Sequence, residues 1–251
     1  MSLWIDDAAV ELRPNATEED LQIVVRAVYK QILGNAHVLD SQRLSSAESM
    51  LRNGEITVRG FVRAVANSDL YRTRFFDNSS PYRFIELNFK HLLGRAPQDQ
   101  TEISAHVQTY NADGYEAEID SYLGSDEYVA AFGENVVPYA RGASTQTGLK
   151  NVAFNRLFAL DRGYAANDTG KSAKLISDVA GNRGTKIKSP AKGSGAYSNT
   201  GKRFRIVASK ANFGTRVTKS NYSVQVGYGQ LSNRIQTMQR SGAKIVSISE
   251  V

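Results

Sequence analysis

Three histidines and a few acidic residues are the side chains in this sequence that could carry chemistry. His37, His91 and His106 stand far apart, and neither the H-E-x-x-H spacing of zinc hydrolases nor the G-x-S-x-G turn of serine hydrolases occurs. Cysteine is absent, which excludes disulfides, thiolate metal ligands, a cysteine nucleophile and a thioether-linked prosthetic group. The sequence therefore predicts a protein that is not an enzyme, with surface or interfacial histidines and no metal site.

Two glycine-containing motifs resemble nucleotide-binding sequences only in part. The TGKS sequence at 169–172 matches the end of a phosphate-binding loop, but Ala165 stands where that loop needs a glycine, and no strand precedes it. Gly227 and Gly229 lack the third glycine of a dinucleotide fingerprint and are interpreted as turns. We expect no nucleotide site. One short helix carries acidic residues that are interpreted as exposed carboxylates without a catalytic role: Glu116, Glu118 and Asp120.

The stretch 61–95 combines arginines with paired aromatic residues on a helical apolar pattern. Phe61, Val62, Val65 and Leu70 fall near helical spacing, which predicts a buried face. Arginine together with aromatic side chains is typical of the centres of protein interfaces, so this stretch is interpreted as a binding surface. The residues predicted to project away from the buried face are Arg63, Arg72, Arg74, Arg83, Tyr71, Phe75, Phe76 and Tyr82.

Charge divides the chain into two parts. Residues 1–149 hold 13 Lys and Arg against 21 Asp and Glu, whereas residues 150–251 hold 18 against 4, so the net charges are −8 and +14. A basic C-terminal part of this kind requires an anionic partner, which could be nucleic acid, an anionic membrane surface or an acidic protein. The length of 251 residues allows one large and one small folded body.

The first part of the chain has the pattern of an all-helical domain over 17–142, preceded by an irregular arm over 1–16. Thr17 can cap a first helix, and Gly34 with Asn35 can end it. Further capping and stop signals predict helices over 42–52, 58–67, 81–93, 99–110, 115–123 and 125–132, with a short one after Ser68.

Two sequence motifs occur twice in the same order. YKQILGN at 29–35 matches FKHLLGR at 89–95, and SDLY at 68–71 matches SDEY at 125–128, with offsets of about 60 and 57 positions. Chance similarity between amphipathic helices could explain one match, but two in the same order favour duplication. The helical domain is therefore predicted to consist of two related halves.

The remainder divides into a flexible segment and a small domain. Residues 143–201 are predicted to be an extended, flexible linker, because glycine, serine, lysine and asparagine dominate its second half. Residues 202–251 show alternating apolar positions, then helical spacing, then another alternating run. This order predicts a small α+β domain.

Nucleic-acid binding is an alternative for the basic domain at 202–251. Its predicted strands carry Phe204, Phe213 and Tyr222 among Lys and Arg residues, and such strands can serve as a stacking platform for bases. The domain lacks the aromatic signature of RNA-recognition domains, however, and it is joined to an acidic helical domain that would repel phosphate. These two points weigh against the alternative.

The sequences SDLYRTRFF at 68–76 and RFIELNFKHLLGRAP at 83–97 resemble the phycobilisome linker polypeptide domain of cyanobacterial and red-algal rod linkers. Residues 203–251 are similar to the CpcD-like domain that ends such linkers. The similarity to the linker domain continues in order through VELRP at 10–14, IVVRAVYKQILGN at 23–35, SQRLSSAESML at 41–51, EIDSY at 118–122 and FGENVVPY at 132–139.

This resemblance implies a structural rod linker whose helical domain occupies the central channel of a phycobiliprotein α/β hexamer. The CpcD-like domain would engage the adjoining hexamer, and neighbouring rod linkers would be further partners. Phycocyanin is the first expected hexamer and phycoerythrin the second. No covalent cofactor is implied; the chain would instead contact bilins carried by the partner subunits and tune their absorption for directional energy transfer. Nucleic acid is not an implied partner.

The resemblance also implies which residues meet the partners. Those expected near bilins are Phe75, Phe76 and Tyr82. Those expected to bind partner proteins are Arg59, Arg63, Arg72, Arg74, Arg83, Arg95, Tyr139, Arg141, Arg203, Arg205 and Arg216. The N-terminus lacks the pattern of a signal peptide, and no apolar run approaches the roughly 18 to 20 residues of a membrane span. We expect a peripheral protein within phycobilisome rods at the cytoplasmic or chloroplast-stromal face of the thylakoid membrane, without membrane insertion.

Overall fold

The computed structural model describes residues 9–77, 79–141, 151–161, 163, 165–187, 201–211 and 219–251. These residues belong to two compact units, one ending at Ile187 and one that follows it. We call the first the helical unit and the second the sheet unit. The predicted fold class, a helical domain followed by a small α+β domain, is confirmed.

Side-chain caps start the main helices of the helical unit. Thr17 accepts a hydrogen bond from the N–H of Asp20, and the Asp20 carboxylate accepts one from the N–H of Thr17. Ser80 caps a second helix, which begins at Pro81. The helices are α1 Glu18–Ile32, α2 Ser45–Arg52, α3 Val58–Ala66, α4 Asp69–Tyr71, α5 Pro81–Leu92, α6 Gln100–Leu123, α7 Asp126–Phe132, α8 Val152–Leu160 and α9 Ile176–Ala180, with a 3₁₀ turn at Asp40–Gln42.

Two irregularities interrupt the regular helices. After α4 the chain continues as a π-helical turn over Arg72–Phe76, where the N–H of Asp77 donates to the carbonyl of Arg72 at 3.0 Å. The long helix α6 is broken at Gly114, whose φ of +88° is a conformation that favours glycine. Both irregularities lie beside one groove, which is described below.

The duplicated sequence motifs adopt matching structures. α1 and α5 are each followed by a glycine in the left-handed conformation, Gly34 and Gly94, with φ of +61° and +65°. At each glycine a later segment docks: the N–H of Asp168 donates to the Gly34 carbonyl at 3.1 Å, and the N–H of Arg141 donates to the Gly94 carbonyl at 2.7 Å. A Cβ atom at Gly94 would lie 1.8 Å from the carbonyl oxygen of Tyr139. A side chain in place of either glycine would collide with the segment that docks there, so both positions require glycine.

The second pair of motifs also matches. Ser68 accepts a hydrogen bond from the N–H of Tyr71 at 3.3 Å, and Ser125 accepts one from the N–H of Tyr128 at 3.1 Å. Both tyrosines are fully buried in the common core of the helical unit. The prediction of two related halves is thus confirmed at the level of caps and docking contacts.

The described part of the segment 143–201 is not the flexible linker that the sequence predicts. Residues 151–187 contain α8 and α9, and their apolar side chains belong to the core of the helical unit. The prediction is wrong there because a few apolar residues suffice when buried hydrogen bonds hold the segment against the helices. The core residues concerned are Leu157, Leu160, Leu175 and Val179.

The sheet unit is a three-stranded antiparallel sheet with one helix on one face. The strand order is β2-β1-β3, with β1 Arg203–Ala211, β2 Lys219–Gly227, α10 Tyr228–Arg240 and β3 Ala243–Glu250. Tyr228 begins α10 directly after β2. Among the described residues of this unit the buried core is small and consists of Ile206, Ala208, Val226, Met238 and Ala243.

Candidate protein-binding surfaces

A shallow groove of about 340 Å³ lies where the π-helical turn meets the broken helix α6. The guanidinium of Arg72 lies 5.7 Å from the ring centre of Phe76 and 5.8 Å from that of Tyr115. The Phe76 ring also packs edge-on against Tyr110 at 5.5 Å. The residues that line the groove are Arg72, Phe76, Tyr110, Asn111, Gly114 and Tyr115. Arginine beside aromatic rings makes this groove the first candidate binding surface.

The groove contains two of the predicted site residues and four that were not predicted. Arg72 and Phe76 were predicted; the other four are Tyr110, Asn111, Gly114 and Tyr115. The signal that could have found them is a helix-breaking glycine with a tyrosine on either side. Tyr115 is fixed because its hydroxyl donates to the carbonyl of Ala66 at 2.7 Å, and burial raises the pKa of this tyrosine.

The other two residues expected near bilins occupy different environments. Phe75 is only 1% exposed and packs against Tyr71 in the core, so the prediction that it projects outward is wrong. Tyr71 is buried as well. In the π-helical turn Phe75 lies in the core, whereas Phe76 lines the groove. Tyr82 is 40% exposed at the start of α5, as expected of a residue that can touch a partner.

Arg83 is the clearest departure from the predicted outward-facing arginines. It is fully buried, because the segment 165–187 covers this face of α5. Its Nε donates to the carbonyl of Gly170 at 2.9 Å, and its Nη1 lies 3.4 Å from the Glu86 carboxylate. The prediction that Arg83 projects from the surface is wrong, since its guanidinium anchors a segment of its own chain.

Buried charged groups hold the segment 151–187 against the helices. The Glu86 carboxylate accepts hydrogen bonds from the N–H groups of Lys174 and Leu175 at 2.7 to 3.0 Å, and burial raises the pKa of Glu86 despite them. Arg156 of α8 is also fully buried, and it donates hydrogen bonds to the carbonyls of Pro97 and Asp178. These groups are structural rather than free to bind a partner.

A second buried cluster joins α5 to the same segment. The Asp168 carboxylate lies 2.6 Å from Lys90 Nζ and 3.2 Å from His91 Nε2. Burial by itself would raise the pKa of Asp168, but the hydrogen bonds and charges of His91 and Lys90 outweigh it and hold that pKa well below its usual range. His91 is fully buried, and burial lowers its pKa. The interpretation of His91 as a surface or interfacial residue is therefore wrong.

The acidic helix residues are not all exposed. Glu118 is fully buried and its carboxylate lies 3.2 Å from Nδ1 of His106, which stacks on the ring of Tyr122 at 3.9 Å. The expectation of an exposed Glu118 is wrong, because α6 packs against α5 and α3 and Glu118 is among its buried residues. Glu116 is exposed and Asp120 pairs with Arg63.

Most of the other predicted arginines of the helical unit are engaged within it. Arg95 binds the carboxylates of Glu102 and Glu127, both at 2.7 Å, and Arg141 also binds Glu127. Arg59 pairs with Glu134 at 2.9 Å. Of these arginines, Arg95 and Arg141 are mostly covered, so they stabilise the junction of α5, α6 and α7.

Four predicted residues of the helical unit remain partly accessible. Arg63 is more than half exposed beside Asp120, as is Arg72 in the groove. Arg74 is half-buried and donates to the carbonyl of His37 at 3.2 Å, and burial lowers its pKa. Tyr139 is half-buried with its ring 5.4 Å from that of Phe132.

The sheet unit exposes the predicted cations of β1. Arg203 and Arg205 are exposed on the central strand. Arg216 lies outside the described residues. No helix of the part of the chain that the structure describes is long and apolar enough to cross a membrane. Among the same residues no group of three His, Asp or Glu side chains could hold a metal ion.

Two family models match this chain in tandem. The model described as "Phycobilisome Linker polypeptide" matches residues 16–141, and the model described as "CpcD/allophycocyanin linker domain" matches residues 202–251. Neither model concerns nucleic acids, so the nucleic-acid alternative has no support from them. The matched ranges fall within the helical unit and the sheet unit, respectively.

Curated relatives are similar over nearly their whole length. The "Phycobilisome 27.9 kDa linker polypeptide, phycoerythrin-associated, rod" of Microchaete diplosiphon is 51% identical, over 96% of this chain and 97% of the relative. The "Phycobilisome 32.1 kDa linker polypeptide, phycocyanin-associated, rod" of Nostoc sp. is 45% identical, over 97% of this chain and 94% of the relative. A phycoerythrocyanin-associated rod linker of Mastigocladus laminosus is 42% identical, over 97% and 94%.

Proposed function

Because this chain belongs to the phycobilisome linker polypeptide family, we propose that it is a structural rod linker that joins stacked phycobiliprotein discs. The single observation that carries the proposal is the tandem match of the two family models over the two units of the chain. The helical unit would sit in the central channel of one hexamer, and the sheet unit would engage the next. The proposed role is structural and involves no catalytic step.

The surfaces of the two units support this division of labour. The helical unit offers the groove around Arg72 and Phe76 and the exposed Tyr82 at the start of α5. The sheet unit offers exposed cations at Arg203 and Arg205. One chain with two separate binding surfaces can hold two discs together, since binding through one unit raises the effective concentration of the other.

The test is reconstitution. The purified chain is mixed with phycobiliprotein trimers, in parallel for phycoerythrin and phycocyanin, and the products are followed by sedimentation and absorption. Growth into stacked discs with one of the two proteins is expected. Phycoerythrin is tested first, because the 51% identical relative is named phycoerythrin-associated. If neither protein sediments with the chain, the proposal fails.

We propose further that the helical unit tunes the bilins of its partner through Tyr82 and Phe76. Tyr82 is exposed and Phe76 lines the groove. An aromatic ring close to a chromophore alters the chromophore's surroundings. In the reconstituted complex, Tyr82→Leu should shift or broaden the long-wavelength absorption band. The matched control is Tyr228→Leu, an equally exposed tyrosine of the sheet unit at 44%. Equal spectra for wild type and Tyr82→Leu would exclude Tyr82 from the tuning role.

A further inference from the structure

The sheet unit has one face that α10 does not cover. Side chains directly opposite each other on paired strands point to the same face of a sheet. Ile206 faces α10 in the small core, so its neighbour Arg205 and the partners of Arg205 on the adjacent strands, Gln225 and Ser249, face the other way. We call this the open face; its polar and charged residues include Arg203, Arg205, Ser223, Gln225, Lys244 and Ser249.

Cations on the open face have no internal carboxylate to pair with. From residue 202 to the end, the sequence holds nine Lys and Arg but a single acidic residue, Glu250. That carboxylate lies 3.1 Å from Lys202 Nζ. Within the described residues of this unit, Arg203, Arg205 and Lys244 are exposed and form no ion pair. Their charge is therefore available to a partner.

Apart from its cations and Val207 on the central strand, the open face is lined by hydroxyl and amide side chains. Ser223 and Gln225 lie on β2, and Ser249 lies on β3, on either side of the central strand. Such a face requires no apolar cover and offers hydrogen-bond donors around fixed positive charges. It is suited to carboxylates on a folded surface more than to an apolar groove or helix.

We propose that the open face is the surface through which the sheet unit docks on an acidic protein surface, with Arg205 at its centre. This proposal rests on the rod-linker function and names its partner as a carboxylate-rich face of the adjoining phycobiliprotein disc. Docking there also relieves repulsion among the cations of a unit whose core contains only five buried apolar residues among those described. Attraction of this type weakens as the salt concentration rises.

The test compares two charge reversals in the full-length chain. Arg205→Glu changes the centre of the open face, and Arg234→Glu changes an exposed arginine of α10 on the opposite side of the unit. Both variants have the same net charge. Binding to phycobiliprotein discs at low salt should fall by about tenfold or more for Arg205→Glu and by about twofold or less for Arg234→Glu. Equal weakening by the two variants would overturn the proposal, because it would reflect net charge alone.

Poly-L-glutamate is a probe that does not depend on the rod-linker function. Binding of poly-L-glutamate by the wild type and by Arg234→Glu, but not by Arg205→Glu, would show that the open face binds acidic polymers. If the discs fail to bind in the same experiments, the rod-linker function is contradicted but the assignment of the open face is not. Two outcomes contradict the named partner. One is self-association of the chain alone that Arg205→Glu abolishes, and the other is Arg205-dependent binding of RNA that is tighter than binding of discs. Arg203→Glu repeats the test if Arg205→Glu does not fold.

Discussion

The helical unit and the sheet unit use their arginines in opposite ways. In the helical unit Arg83, Arg95 and Arg156 are covered and bind carboxylates or carbonyl groups of their own chain. In the sheet unit Arg203 and Arg205 are exposed, and no acidic side chain stands beside them in the described residues. These three arginines of the helical unit are therefore structural anchors, whereas the two of the sheet unit are exposed cations without an ion pair among the described residues.

The hydrophobic cores of the two units differ in size. The core of the helical unit runs through α1 to α9, whereas the core of the sheet unit has five buried residues among those that the structure describes. A small core contributes little stability, so a domain of this kind commonly depends on a partner or ligand. We infer that the helical unit is complete by itself and that the sheet unit gains much of its stability on binding.

The largest effect that this comparison predicts comes from a buried carboxylate of the helical unit. Glu86→Ala leaves Nη1 of Arg83 and two backbone N–H groups buried without their acceptor, so the free energy of unfolding should fall by about 3–5 kcal/mol. Urea denaturation followed by far-UV circular dichroism measures this loss. The control is Glu116→Ala on the exposed side of α6, which should change stability by about 0.5 kcal/mol or less. Similar values for both variants would show that Glu86 does not hold the segment 165–187.

In the sheet unit the largest effect should come from its core and should stay within that unit. Ile206→Ala removes the centre of five buried residues and should cost about 2–4 kcal/mol. That loss is expected to unfold the sheet unit while the helical signal persists, and added discs should restore the fold. Val246→Ala, at a position 62% exposed, is the control. Loss of the helical signal together with the sheet would contradict the independence of the two units.

Acid should distinguish the units as well. The pKa of Asp168 is held low in the folded helical unit, so its contribution to stability is fully present above the unfolded-state pKa of about 4. It shrinks as pH falls below that value and is lost only when pH falls through the much lower folded-state pKa. The sheet unit has a single exposed carboxylate, at Glu250, and should be far less sensitive. Unfolding of the wild type and of Asp168→Asn between pH 7 and pH 2 measures this, with a difference on the order of 2 kcal/mol at pH 7 that narrows steadily below pH 4. A parallel decline of the two curves would contradict the role of Asp168.

Local signals made much of this fold predictable. Thr17, Ser68 and Ser80 cap helices as their neighbours indicate, and Gly34 and Gly94 end helices as the sequence suggests. Each of these features depends on contacts within a few residues, which a sequence pattern displays directly.

What the sequence could not reveal depends on contacts between distant residues. The helical spacing of α5 predicts that Arg83 is exposed. It is buried because the carbonyl of Gly170, 87 positions later in the chain, accepts its hydrogen bond. Phe75 turns inward because the π-helical turn changes the helical register, which no spacing rule anticipates. The groove was missed in part because Tyr110 and Tyr115 come from a different helix than Arg72.

The smallest predicted effect comes from the exposed ion pair of the sheet unit, whose loss should leave stability nearly unchanged but alter binding. Glu250→Gln removes the exposed partner of Lys202, and an exposed pair of this kind contributes less than about 1 kcal/mol, so the unfolding free energy should barely change. The same substitution removes the last acidic side chain of the sheet unit and frees another cation, so binding to discs at low salt should become modestly tighter. Lys202→Gln is the matched control, which removes the same pair but lowers the positive charge and should weaken binding. If both variants weaken binding equally, the pair itself supports docking, and unpaired charge is not what separates the sheet unit from the helical unit.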